Sequence, residues 1–190
     1  MIRKLAGLAL LAAALPLLQG CFPLAVTGAA AVSLMATDRR TAGTYIEDET
    51  IEWKAVGQIR DARFGTAHVN PTSYNRRVLL TGEAPTEEMR KEIERWVRAV
   101  PNVKEVVNEV QVAGASSLSS RGNDSLITSN VKARMVNNGK FSPTHVKVLT
   151  ENNTVYLMGL VTSAEGDAAA EIARTAQGVS RVVKVFEYVN

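Results

Sequence analysis

The sequence predicts an α+β fold: two tandem copies of a small αββαβ sandwich, preceded by a secretion signal and a tether. Three observations lead there. The first is an internal repeat: Ile51 matches Ile127, Val103 matches Val179 and Val106-Val107 matches Val182-Val183, each 76 residues on, while Gly82 of LLTGEA matches Gly159 of YLMGLV at 77. The second is the patterning inside each copy, where helix-spaced apolar positions alternate with short β-prone runs bounded by turn residues. The third is the stretch GASSLSSRGN at residues 114–123, a Gly/Ser linker between the copies. A repeat of this length is too long for a solenoid unit and suits two small domains, at 46–113 and 124–190.

Residues 1–20 have the order of a secretory signal, with basic Arg3 and Lys4 before an apolar run from Leu5 to Leu18. That run falls short of the roughly 20 residues a permanent bilayer helix needs. Leu18-Gln19-Gly20-Cys21 resembles a bacterial lipobox, with Gln19 departing from the usual small residue. The resemblance implies that the Cys21 sulfur receives a diacylglyceryl group, and that the finished lipid, palmitate included, anchors the chain. Three acyl chains exceed the two that already hold a protein on a membrane. Cys21 is the only cysteine, so no intramolecular disulfide can form. Phe22 stands where aspartate favours inner-membrane retention, and by the same resemblance this implies the outer membrane, on its periplasmic face. Residues 21–45, rich in Gly, Ala, Ser and Thr, read as a tether with Asp38-Arg39-Arg40 as its polar end. A packing role for that segment is the alternative.

Charge narrows the partners. Two of the 22 basic residues lie in the signal, leaving 20 against 19 acidic ones, so the processed chain is nearly neutral and nothing in it calls for nucleic acid. The copies differ in sign: residues 46–113 carry 12 acidic and 10 basic side chains, residues 124–190 carry 6 and 7.

In the first copy, residues 47–54 form an acidic first helix. A second helix carries Met89, Ile93, Trp96, Val97 and Val100, and the last strand is Val103–Val112. In the second copy, Asp124 is expected to cap a helix over about residues 125–138, with Ile127, Val131 and Met135 on its core face. Strands follow at His145–Thr150 and Thr154–Gly159 around the turn Glu151-Asn152-Asn153. Ser163 starts a helix with Ala169, Ile172, Ala173 and Ala176 inward, and Val179 to about Val189 is the final strand.

This order resembles the BON domain, on the residues Val78-Leu79-Leu80-Thr81-Gly82, Pro101-Asn102-Val103, Val155-Tyr156-Leu157-Met158-Gly159 and Gly178-Val179. Two such domains behind a lipobox are similar to the dual BON-domain outer-membrane lipoproteins associated with division and outer-membrane stress. The Thr37-Asp38-Arg39-Arg40-Thr41 run strengthens that match. The resemblance implies phospholipid binding and a part in envelope integrity.

The inventory argues against catalysis and against a cofactor. His68 and His145 fall on expected strands in non-equivalent surroundings, and two isolated histidines do not make the three- or four-ligand cluster of a metal site. Glu87-Glu88 sit in a first helical turn, where they suit the helix dipole. Gly82 and Gly159 fit tight strand-to-helix turns.

The first helix of the second copy is more informative. Opposite its core face lie Leu126, Ala133 and Val136, flanked by Lys132, with Lys140 just beyond. An apolar ridge bordered by cations suits contact with an anionic phospholipid surface; packing against the other domain is the rival reading. Leu126, Lys132, Arg134 and Val136 are the candidate lipid-binding residues, with Arg134 nearer the core face. By the family, the Leu126 position is often aromatic. The acidic first copy suits an envelope or division protein as partner, which leaves a non-catalytic scaffold as the alternative function.

Overall fold

The computed structural model describes residues 38–60 and 64–190. Cys21, the signal and most of the expected tether lie outside the described residues. The element order is α1 (Ala42–Ile59), β1 (His68–Tyr74), β2 (Arg77–Ala84), α2 (Glu87–Arg98), β3 (Glu105–Asn108), β4 (Gln111–Val112), α3 (Leu118–Val136), a 3₁₀ turn (Pro143–His145), β5 (Val146–Glu151), β6 (Thr154–Val161), α4 (Ser163–Arg174) and β7 (Arg181–Tyr188). This is αββαβ twice, the α+β fold expected.

In each copy the central strand pairs antiparallel with the one before it and parallel with the one after the helix: β1-β2-β3 with β4 also on β2, and β5-β6-β7. The parallel step needs a crossover, and α2 and α4 provide it. The strand expected over Val103–Val112 is broken in two. At the break the Asn108 side chain accepts from Val110 N, while Glu109 N still donates to Leu80 O, so the chain detours and resumes at Gln111.

The helices end on side-chain caps: the hydroxyls of Thr41, Thr86, Ser117 and Thr162 each accept a first-turn amide. Glu165 completes a capping box with Thr162. The helix expected from about 125 therefore begins seven residues earlier, at Leu118, and Asp124 lies inside it.

What Asp124 does instead shows how the repeat works. Its carboxylate is buried and accepts from the amides of Asn152 and Asn153 at 2.9 and 2.8 Å. Asp48, 76 residues earlier, accepts from the amides of Asn75 and Arg76 at 2.8 and 2.7 Å. Both pairs of acceptor-facing residues have positive φ, the backbone of a two-residue hairpin turn. Each copy thus holds its β-hairpin turn from a buried aspartate on its first helix. The turn amides that face the helix need acceptors, and the buried aspartate supplies them.

Three apolar clusters result. Helices α1 and α2 cover one face of the first sheet through Ile51, Ala55, Ile93 and Val97 against Val78, Leu80 and Val106. Helices α3 and α4 cover the second sheet through Ile127, Val131, Met135, Ala169 and Ala173 against Val155, Leu157 and Phe186. The third cluster joins the remaining faces of both sheets: Tyr74 and Leu79 with Tyr156, Met158, Leu160 and Val185. Alternate residues of β2 and β6 thus serve a helix layer on one side and the other sheet on the opposite side, which is why both strands read as near-continuous apolar runs.

Polar contacts frame this sheet-to-sheet interface. Lys147 Nζ pairs with Glu52 at 2.6 Å, Arg77 donates to Phe186 O at 3.1 Å and Asn75 to Glu187 at 2.7 Å. The segment expected as the tether's polar end is part of the frame. Arg40 pairs with Asp38 and Asp48 and stacks over Tyr74, its guanidinium 4.0 Å from the ring centre. Arg39 reaches the second copy, donating to Leu160 O and pairing with Glu165 at 2.6 Å. The packing alternative for Arg39 and Arg40 is the one the structure adopts.

Candidate functional site

Helix α3 lies over the second sheet with Asp124, Ile127, Val131 and Met135 turned inward. Ile127 packs closely on Gly178, whose positive φ disfavours a side chain there. Register then fixes what faces outward. Leu126 and Val136 are 72% and 65% exposed. Neither belongs to the apolar cluster between the two sheets, and their exposure speaks against the rival reading that they pack on the other domain.

The four candidate residues do not converge on one pocket. Lys132 and Val136 line the same recess, about 220 Å³, with Met135, Pro143, Thr144, Val146 and Val148 between α3 and β5. Leu126 stands about 15 Å away along the helix axis, from ten residues at 1.5 Å each. Arg134 is on the far flank and donates to Thr175 Oγ1 at 2.9 Å, at the end of α4. The arrangement is a stripe with a cation and an apolar recess at one end.

Sequence reasoning missed a third apolar member. Leu118 is exposed on the first turn of α3. At 100° per residue it lies on the same side as Val136, five turns away. The signal was Ser117, a good N-cap, hidden by reading the Ser-rich stretch as linker. On α1, Ile46 and Trp53 are 62% and 84% exposed, seven residues apart on one helix face beside Glu49. A Trp in an acidic helix is a signal legible in the sequence.

The two histidines are also more alike than expected. His68 and His145 are 77 residues apart, and the carbonyl of each lies so close to Gly82 or Gly159 that a β-carbon there would collide with it. Their glycines are therefore close-approach sites rather than strand-to-helix turns: Gly82 lies against β1, and Gly159 against His145, which ends the 3₁₀ turn instead of lying on the expected strand. The rings differ in partners: His68 Nδ1 is 3.2 Å from Glu83, and His145 Nδ1 is 3.6 Å from Glu165. The Arg39 guanidinium holds the Glu165 carboxyl down to about 2.

No helix among the described residues is long and apolar enough to cross a membrane. The BON domain family model matches this chain twice, over residues 47–114 and 123–190. Outer membrane lipoprotein DolP of Haemophilus influenzae is 40% identical over 191 residues, covering 100% of this chain and 99% of that protein. The chain belongs to the dual BON-domain outer-membrane lipoproteins. As a BON-domain lipoprotein it is an outer-membrane protein with an envelope function. It is also similar to the 21 kDa hemolysin of Actinobacillus pleuropneumoniae, 36% identical over 154 residues, 80% of this chain and 79% of that one. Osmotically-inducible protein Y of Escherichia coli is 27% identical over 144 residues, 74% of this chain and 72% of that one.

Proposed function

We propose that this BON-domain lipoprotein is anchored at Cys21 on the periplasmic face of the outer membrane and grips anionic phospholipid through α3 of its second domain. It carries out no catalysis, and it supports envelope integrity and cell division. The supporting observation is that Leu126 and Val136 are exposed on α3 and take no part in the interface that joins the domains. Aliphatic side chains enter the acyl boundary, while Lys132 beside Val136 meets headgroup phosphate. The recess next to Lys132 offers room for one further apolar group from the lipid. Arg134, engaged with Thr175, has the smaller part.

Flotation of a chain starting at Met35, which lacks the lipid anchor, tests this on vesicles with and without phosphatidylglycerol. The parent floats with the anionic vesicles, and Leu126→Glu combined with Lys132→Glu loses at least about tenfold in partition, since each basic residue near the surface contributes about 1 kcal/mol. Unchanged flotation of that variant would sink the assignment.

A second reading has its own observation. Ile46 and Trp53 give α1 an exposed apolar pair on an acidic helix, which anionic lipid repels and an envelope protein can use. In that case crosslinking in cells captures a partner that is lost with Trp53→Ser and kept with the α3 substitutions.

A further inference from the structure

We propose that His68, Glu83 and Glu151 form a site for one first-row divalent cation of the zinc class, bridging the two BON domains. The register of the first hairpin sets His68 directly opposite Glu83, so both side chains lie on one face of that sheet. That face looks toward the second sheet, which contributes Glu151, the last residue of β5. Ligand atoms from all three residues lie within 4.8 Å of one another, and His68 Nδ1 is already 3.2 Å from Glu83 Oε2. Metal–ligand bonds of about 2.0–2.2 Å separate neighbouring ligands by about 3–3.5 Å, so closure needs a shift of about 1 Å. One imidazole and two carboxylates suit zinc and its neighbours better than calcium or magnesium, which prefer all-oxygen shells. Three protein ligands leave a fourth position for water.

Charge gives an independent reason. Glu83 is only 5% exposed, and its carboxylate accepts from Ser116 N besides facing His68. Among the described residues neither Glu83 nor Glu151 forms an ion pair with a lysine or arginine. Among the described residues the Glu151 carboxylate accepts a single side-chain hydrogen bond, from Asn70 at 3.1 Å. Buried carboxylates ordinarily have a cationic partner or hold a metal. The matching histidine, His145, differs in this respect, because Arg39 already neutralises its neighbour Glu165. The site is also reachable: a recess of about 420 Å³ is lined by His68 and Glu151, and one of about 210 Å³ by Glu83 and Glu151. A cation there ties the first hairpin to the second, beside the apolar seam.

The test uses the full chain in detergent with Cys21→Ser in every arm, so that no thiol competes, after stripping with a chelator. Calorimetric titration with Zn²⁺ gives one saturable site, and Zn²⁺ at about a hundred times its Kd raises Tm by roughly 5–10 °C. His68→Ala and Glu151→Gln each weaken binding at least tenfold, and His145→Gln leaves it unchanged. Glu151→Gln keeps the metal-free Tm at or above the parent's, because it removes an uncompensated carboxylate, which separates lost binding from lost folding. Absence of saturable binding, binding that survives both ligand substitutions, or binding lost with His145→Gln overturns the proposal.

Discussion

Replacing Asp48 with alanine strips acceptors from the Asn75 and Arg76 amides, the Ser73 hydroxyl and the Arg40 guanidinium at once. Breaking a buried ion pair of this kind costs about 3–5 kcal/mol. Asp124→Ala leaves only two amides unpaired, for about 2–3 kcal/mol. Urea unfolding of the two variants checks both the size and the order. Neither role was legible in the sequence: Asp124, ahead of an apolar helix pattern, reads as an N-cap, Asp48 reads as one of several acids in the first helix, and only the fold shows the turns they reach. Glu165 gives a second check at this scale. Its carboxyl titrates near 2 in the fold against an ordinary 4.5, chiefly through the Arg39 hydrogen bonds. A depressed folded value means the stabilisation is present above about 4.5 and is lost as pH falls toward 2. Arg39→Ala therefore raises the Glu165 titration midpoint, followed by carboxyl-carbon NMR, and flattens stability between pH 5 and 2.

In helix α3 the structure keeps the inward and outward faces read from the sequence and lengthens the helix. The core face Ile127, Val131, Met135 was legible because its spacing is strictly i, i+4, and the outer ridge follows from it. The start was not legible: Gly122 and four serines between 116 and 120 disguise a helix that Ser117 caps and that packing, more than propensity, sustains. The added turns bring Leu118 into the apolar stripe. Leu118→Glu thus reduces partition onto anionic vesicles, by less than Leu126→Glu because it stands at the stripe's end. Flotation of the two variants side by side checks that order.

The whole molecule is two similar sandwiches sharing a seam. Their internal order was readable from the repeat, and the unbroken apolar runs of β2 and β6 signalled burial on both faces. What covered the second face was not readable, because period and composition are the same whether the partner is a helix, a sheet or another chain. A shared seam of this kind predicts that the two domains unfold together. Met158→Ala removes a side chain fully buried between the sheets, at a cost of about 2–5 kcal/mol. Calorimetry of that variant shows the single transition of the parent divided into two. The shared seam also fixes the direction in which α3 faces; in the proposed function the lipid anchor and α3 would then be two linked contacts with the envelope, and acylation would raise the effective concentration of the weaker one.

The central claim, that α3 enters an anionic lipid surface, is tested most directly by depth. A chain starting at Met35 contains no cysteine, so single nitroxide labels can be placed at 126, 136 and 96. On phosphatidylglycerol vesicles, electron paramagnetic resonance with oxygen and nickel relaxants places the labels at 126 and 136 within the acyl boundary and leaves the label at 96, on α2, in water. Aqueous accessibility at 126 and 136 on vesicles that hold the protein would contradict it.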